Sequence, residues 1–298
     1  MSFSLSYVIS TKNRLDHLKI LFAHLLPLVA ADEEIVVIDG GSTDGAIEYL
    51  QKLHSEGKIH QFISEPDRNQ AEGWNKALLM AKGTIIKKLI DDDVYCFTTI
   101  RKCRDFMLQN SSVDLCISNV LNGDLSKPME VNTATRLPQF EDWKNGSAKA
   151  FTFSDVSMLI RRSSLSFIGL YDTQFRMIDW EYALRASYLK AKIAYYTGFN
   201  AMAVDTPGNV TSGTDEATRK READIGRIKY GYPGDQAGIS RYSKVKIWVG
   251  KTLAKLGSKE NSARAAAEHT DANLEDIYTR YYQTLEAQHL ATGGKFIV

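Results

Sequence analysis

The sequence predicts an α/β fold: a mostly parallel central sheet flanked by helices on both faces, followed by a C-terminal helical extension. Three observations carry that expectation. Strand-like and helix-like segments alternate from Phe3 to Val120. No internal repeat interrupts the alternation. The four leading strands run into polar or acidic stretches, namely Ser10-Thr11, Asp39, Glu65-Pro66-Asp67 and Asp91-Asp92-Asp93.

Phe3–Ser10 alternates Phe3, Leu5, Tyr7 and Ile9 at period two, then meets Ser10-Thr11-Lys12-Asn13, and so predicts a strand and its loop. Leu18, Leu21, Phe22 and Leu25 recur at helical spacing within Leu15–Val29. Ile35–Ile38 is the next strand and Thr43–Leu53 the next helix, with Ser42 or Thr43 as its N-cap. Strand Ile59–Ile63, helix Ala71–Ala81, strand Thr84–Ile90, helix Phe97–Leu108 and strand Val113–Val120 follow. This βαβα order implies an open, largely parallel sheet. Such sheets bind ligands beyond the carboxyl ends of their strands. A rim this rich in carboxylates suits a divalent cation and the donors of a nucleoside, rather than a bare phosphate on a helix N-terminus.

Leu121–Ser154 holds Pro128 and Pro138 and reads as long loops with short elements. Val156–Ile160 (strand), Asp179–Leu189 (helix) and Lys192–Thr197 (strand) restore the regularity. Asp205–Thr214, rich in Gly, Thr and Ser, reads as a lid loop. From Glu216 the chain reads as helical, with a break at Gly231–Gly234.

The chain has 298 residues, of which 44% are hydrophobic and 24% charged, in the ordinary range for a globular protein. Its 37 basic and 36 acidic residues nearly cancel, which argues against a general nucleic-acid binder. Cys96, Cys103 and Cys116 have no CxxC spacing and read as small core residues. No basic, apolar leader opens the sequence and no run reaches the ~20 apolar residues of a membrane span. The expected location is the cytoplasm, with contact at the inner face of the membrane left open.

Four stretches, in order, resemble the family 2 glycosyltransferases, an inverting group with a GT-A fold. They are Ser6–Arg14, Ile35–Gly45, Asp67–Ala77 with Ala81-Lys82-Gly83, and Leu89–Asp93. The resemblance covers residues 3–110 well and thins towards 215. It implies a catalytic domain over 1–235, with a nucleotide-binding half (1–95) and an acceptor-binding half (96–235), and an extension over 236–298. Ser10, Thr11, Asn13, Asp39, Asp67, Asn75, Lys76 and Asp91 are the implied nucleotide-sugar contacts. Asp92 and Asp93 are the implied ligands of Mn²⁺ or Mg²⁺. Asp179, in Asp179-Trp180-Glu181, is the implied general base, with Glu181 as fallback. The family usually has Glu-Asp there, whereas this chain has Ile178-Asp179. Gly208–Ser212 loosely resembles a Gly-Gly-Val-Ser loop near the donor.

The chemistry needs these residue types. Departure of a nucleoside diphosphate calls for cationic charge, and hard carboxylate oxygens suit Mg²⁺ or Mn²⁺. The acceptor hydroxyl must lose a proton to a positioned base. Three adjacent carboxylates repel one another and make poor sense without a cation, although a solvated turn is the bland alternative. The same holds elsewhere: Asp39 and Asp67 are contacts or turn acids, Asn75 lines the site or packs within its helix, and Asp179 is base, N-cap or both. Arg185 reads as the i,i+4 partner of Glu181.

Arg241–Lys259 reads as a basic amphipathic helix that either meets an anionic membrane or packs on the catalytic domain. The leading expectation is thus a metal-dependent glycosyltransferase of polysaccharide biosynthesis, taking a UDP-sugar, with dTDP and GDP open. The acceptor would be a glycan or a lipid-linked sugar. The rivals are a catalytically silent nucleotide-sugar-binding subunit and a sugar nucleotidyltransferase. The latter needs a glycine-rich phosphate loop after the first strand, where this chain has Ser10-Thr11-Lys12-Asn13-Arg14.

Overall fold

The computed structural model describes residues 3–207, 213–232, 234 and 273–298. Its first half is the expected alternation: β1 (Leu5–Thr11), α1 (Leu15–Leu25), β2 (Glu33–Asp39), α2 (Ala46–Ser55), β3 (Gln61–Ser64), α3 (Gln70–Met80) and β4 (Ile85–Leu89). The strands lie in the order β4-β1-β2-β3, all parallel. Neighbouring residues of one strand feed opposite cores, because side chains alternate across a sheet. Tyr7, Ile9, Ile35 and Val37 pack with Leu18, Phe22 and Leu50 on one face. Val8, Val36 and Ile38 pack with Trp74 and Ala77 on the other.

The second half comprises β5 (Val94–Tyr95), α4 (Phe97–Gln109), β6 (Leu115–Asp124), β7 (Asn132–Ala134), α5 (Leu137–Lys144), β8 (Leu159–Arg161), α6 (Leu165–Ile168), α7 (Ile178–Tyr188), β9 (Ile193–Asp205) and α8 (Glu216–Tyr230). The sheet continues β4-β8-β6-β9. Here β8 is antiparallel to both neighbours, while β6 and β9 are parallel. β9 runs on to Asp205, past its expected end at Thr197. The register slips opposite Ser118 and Asn119, so Thr197-Gly198 bulge out and break the period-two pattern.

Other boundaries moved for local reasons. α1 stops at Leu25 and a 3₁₀ turn over Leu26–Leu28 follows, since Pro27 has no amide to continue the ladder. α2 begins at Ala46, not Thr43, and neither Ser42 nor Thr43 caps it. Gly45 is the N-cap residue, and the Asp44 carboxylate beside it accepts from the Ala46 amide at 3.1 Å and from the Leu15 amide of α1 at 2.9 Å. One carboxylate thereby serves the starts of two helices.

α9 (Leu274–Ala291) returns to the sheet, packing Tyr278, Tyr281 and Leu285 against Val94, Met202 and Val204. β10 (Phe296–Ile297) then pairs antiparallel with β9. The three cysteines are buried and free. Cys96 has neighbours that sequence spacing did not reveal: Glu286 at 3.3 Å and Thr99 at 3.1 Å, the latter bonded to His289 Nδ1 at 2.6 Å. Among the described residues, no helix is long and apolar enough to cross a membrane. The amphipathic stretch 241–259 and the loop residues 208–212 lie outside the described residues.

Candidate active site

The carboxyl ends of β1, β2 and β4 bring Ser10, Thr11, Asp39 and the acid trio to one edge of the sheet, as parallel pairing of these strands requires. Thr11 Oγ1 donates to Asp91 Oδ2 at 2.6 Å, tying the two loops together. Asp92 is held from three directions. Arg14 lies 3.5 Å from its Oδ2, Thr206 donates to the same oxygen at 2.5 Å, and the Tyr278 hydroxyl donates to its carbonyl at 2.6 Å. Asp93 instead accepts from the Val204 amide at 2.8 Å. Burial, then the neighbouring Asp92 charge, push Asp91 up to about 7 and Asp93 well above the ordinary carboxylate range.

The carboxylate oxygens of Asp91 and Asp92 are of the hard type that a divalent cation takes, while the three acids do not converge as one ligand cluster. All three acids are buried, and Arg14 is the cation that reaches Asp92 among the described residues. Asp91 and Asp92 are the acids whose side chains meet the β1 loop. Asp93, expected as a ligand beside Asp92, has one carboxylate oxygen bonded to the Val204 amide of β9.

The rest of the rim is tightly knit. Asp39 is fully buried; its Oδ2 accepts from the Gly41 and Ser42 amides, each at 3.0 Å, and from Ser64 Oγ at 2.8 Å. It shapes the turn that follows β2. Asn13, with φ 53, receives the Thr43 amide at 2.7 Å and so locks the β1 loop to that turn. Asp67 is bonded to Lys76 at 2.6 Å, and Lys76 also reaches Glu65 at 2.9 Å. The bond to Asp67, then that to Glu65, lifts the Lys76 ammonium to about 12. Gly73 lies directly beneath: a Cβ there would meet Ser10 Oγ at 2.3 Å and Asp67 Oδ2 at 2.6 Å. Only glycine lets α3 approach these two groups so closely. Asn75 does not turn to the rim. Its amide clasps the Tyr171 backbone through two bonds of 2.8 Å.

Asp179 opens onto a pocket of about 260 Å³ lined also by Ser118, Asn122, Arg136, Thr152 and Ser154. It is not the N-cap of α7, a position held by Met177; it is the second residue of the helix. Glu222 of α8 secures the entry to α7, accepting from the Arg176 and Met177 amides at 2.7 and 2.9 Å. Burial, then the nearby charge of Asp155, raise Asp179 to about 6. Glu181 is engaged elsewhere. It pairs with Arg185 at 2.9 Å and accepts from the Tyr230 hydroxyl. Ile178, where the resemblance expects Glu, is buried with Tyr182 and Ile168 in the apolar core.

The model of Glycosyl transferase family 2 matches residues 6–169, more than half of the chain. This chain belongs to that family. A Haemophilus influenzae protein described as an uncharacterized glycosyltransferase is 33% identical over 81 residues, which is 27% of this chain and 32% of that protein. The match therefore spans about a third of that relative's length. Among solved structures, residues 1–349 of S. aureus TarS in complex with UDP-GlcNAc superpose with TM-score 0.56 and 15% identity, over 96% of this chain and 91% of that one. The mannosyltransferase PcManGT of Pyrobaculum calidifontis, in complex with GDP-Man and Mn²⁺, gives TM-score 0.57 and 13% identity, over 98% and 88%. The fold of this glycosyltransferase is GT-A.

The family match ends before Asp179, so geometry alone carries that residue's place. Sequence reading of this glycosyltransferase missed Thr206 and Tyr278, which reach Asp92 across 114 and 186 positions. It also missed Lys87 and Lys88, both buried in the central strand β4. Their signal was present, since adjacent lysines in an apolar strand need partners. Lys87 Nζ bonds the Val156 carbonyl, and burial lowers it to about 7; Lys88 pairs with Asp155.

Proposed function

We propose that this chain is an inverting glycosyltransferase that moves a sugar from a nucleotide-sugar to a hydroxyl of a glycan or lipid-linked acceptor, with Asp179 as general base. One observation carries the reading. Asp179 opens onto a pocket with its proton affinity raised to about 6, while Glu181, the rival acid of the same helix turn, is fully engaged by Arg185 and Tyr230. A carboxylate in that range is ionised at neutral pH and still basic enough to take a proton. Structures of similar fold hold UDP-GlcNAc in one case and GDP-Man with Mn²⁺ in the other, which supports a nucleotide-sugar donor.

In this reading the donor lies along the rim. Ser10, Thr11 and Asn13 present the β1 loop, Asp39 holds the turn against which the base rests, and Lys76 orients Asp67. The acceptor enters the pocket beside Asp179, which takes the hydroxyl proton as the oxygen attacks the anomeric carbon. A single displacement on the face opposite the departing diphosphate inverts that carbon. Mn²⁺ or Mg²⁺, bound by Asp91 and Asp92, would neutralise charge on the diphosphate. Arg14, already on Asp92, supplies fixed positive charge at the same place.

A thermal-shift panel of UDP-, GDP- and dTDP-sugars with Mn²⁺ tests the donor site. A saturating donor, at a hundred times its Kd, stabilises a protein by about 2.7 kcal/mol. A UDP-sugar is the first expected responder, and no response to any of them would contradict the assignment.

A further inference from the structure

We propose that Lys88 and Asp155 form a buried positioning pair that sets the charge state of Asp179. This rests on Asp179 being the base. Lys88 comes from β4, one residue before its end, Asp155 from the 3₁₀ turn Asp155–Ser157, and both are nearly inaccessible at 3% and 4% exposure. Lys88 Nζ bonds Asp155 Oδ2 directly. Aromatic faces close around the ammonium, with the Trp74 ring centroid 4.2 Å away and that of Tyr171 at 5.0 Å. The Tyr171 hydroxyl donates to the same Asp155 oxygen at 3.3 Å.

This unit adjoins, through residues 152–155 of the chain, the pocket onto which Asp179 opens. Thr152 and Ser154 line the pocket beside Asp179, and Asp155 is the next residue. Tyr171 packs on Tyr182, one turn along α7 from Asp179, with ring centroids 4.9 Å apart. The Asp155 charge raises the proton affinity of Asp179 and the Lys88 charge lowers it. The other charged groups around Asp179 have their own engagements: Glu181 with Arg185 and Tyr230, and Glu222 with the amides before α7. Arg136 lines the same pocket. Stability gives no reason to keep a lysine–aspartate pair inside an apolar sheet, because well-packed apolar residues commonly serve as well or better. A charge held close to the base gives one.

The test is an NMR titration of protein labelled at its aspartate carboxyl carbons, with the Asp179 signal assigned by its loss in Asp179→Asn. In Asp155→Asn the Asp179 midpoint is expected to fall by about one pH unit, and in Lys88→Met to rise by less, since Asp155 is the stronger of the two influences. Lys88→Arg keeps the parent midpoint. A general structural loosening would not move the two variants in opposite directions. Midpoints that stay put, or shift the same way, overturn the proposal. Should a single variant fail to fold, Lys88→Met/Asp155→Asn removes both charges together. Its midpoint is expected below that of the parent, and an unchanged one overturns the pair's role. The pH dependence of donor turnover in the same variants separates the two readings: midpoints that move without the acid limb of turnover leave the pair standing and remove Asp179 as base.

Discussion

The Tyr278 hydroxyl donates to the Asp92 carbonyl at 2.6 Å, across 186 positions of chain, so helix α9 holds the acidic loop that follows β4. Tyr278 also packs edge-on to His17 of α1, and the contact joins three segments around one loop. Tyr278→Phe leaves that buried carbonyl without its donor. The expected cost is about 1–3 kcal/mol of stability, read by urea unfolding. A donor Kd raised about tenfold, equivalent to ~1.4 kcal/mol, is expected alongside it.

Gly73→Ala is expected to damage the donor site specifically. The new methyl would press on Ser10 Oγ and Asp67 Oδ2, both well inside van der Waals contact. Overpacking of this kind costs about 1–3 kcal/mol. The measurement is the thermal shift on adding donor, which should shrink in Gly73→Ala even at temperatures where the variant is fully folded.

The acid trio sets a pH dependence whose sign can be worked out. Asp91 titrates near 7 in the folded chain, against ~3.9 unfolded. Between those values the folded state binds the extra proton, so this group's contribution to stability declines as pH rises from ~4 to ~7. Three histidines with lowered pKa values, His17, His24 and His60, act in the opposite sense. The parent is therefore compared with Asp91→Asn, in which the histidines cancel. The variant is expected to lose less stability than the parent between pH 5 and 7 by chemical denaturation. Because carboxylates must be deprotonated to hold a metal, stabilisation by Mn²⁺ is expected to be larger at pH 8 than at pH 6.

Glu181→Gln and Asp179→Asn should fail in opposite ways. Glu181 is buried and balances Arg185, and removing one partner of a buried pair costs about 3–5 kcal/mol. Glu181→Gln should melt early, yet turn over donor at a rate per folded molecule close to that of the parent. Asp179→Asn should melt like the parent and lose turnover.

The sheet was legible because strands covered on both faces read as short apolar runs, as in Tyr7-Val8-Ile9, set between segments of helical spacing. The rim was legible for a related reason: parallel strands must all end on one edge, and Thr11, Asp39 and Asp91 are their terminal or following residues. What escaped were contacts without period or local spacing. Thr206 and Tyr278 meet Asp92 only because β9 runs past its bulge and α9 folds back. The roles of single acids were equally hidden. Nothing in Asp91-Asp92-Asp93 tells which carboxylate turns to β9, and nothing in Asp179-Trp180-Glu181 tells which acid Arg185 neutralises. Lys87-Lys88 was a visible anomaly in an apolar strand, and its partner Asp155 lay far along the chain.

The role of Asp179 is tested most directly by nucleoside diphosphate release from the donor that stabilises the chain, with and without Mn²⁺. Parent and Asp179→Asn are compared at equal donor occupancy. The expected result is a rate lower by about 10²–10⁴-fold in Asp179→Asn, the usual contribution of a positioned base, with donor binding retained. A variant that releases nucleotide within a few-fold of the parent would contradict the assignment of Asp179 as base.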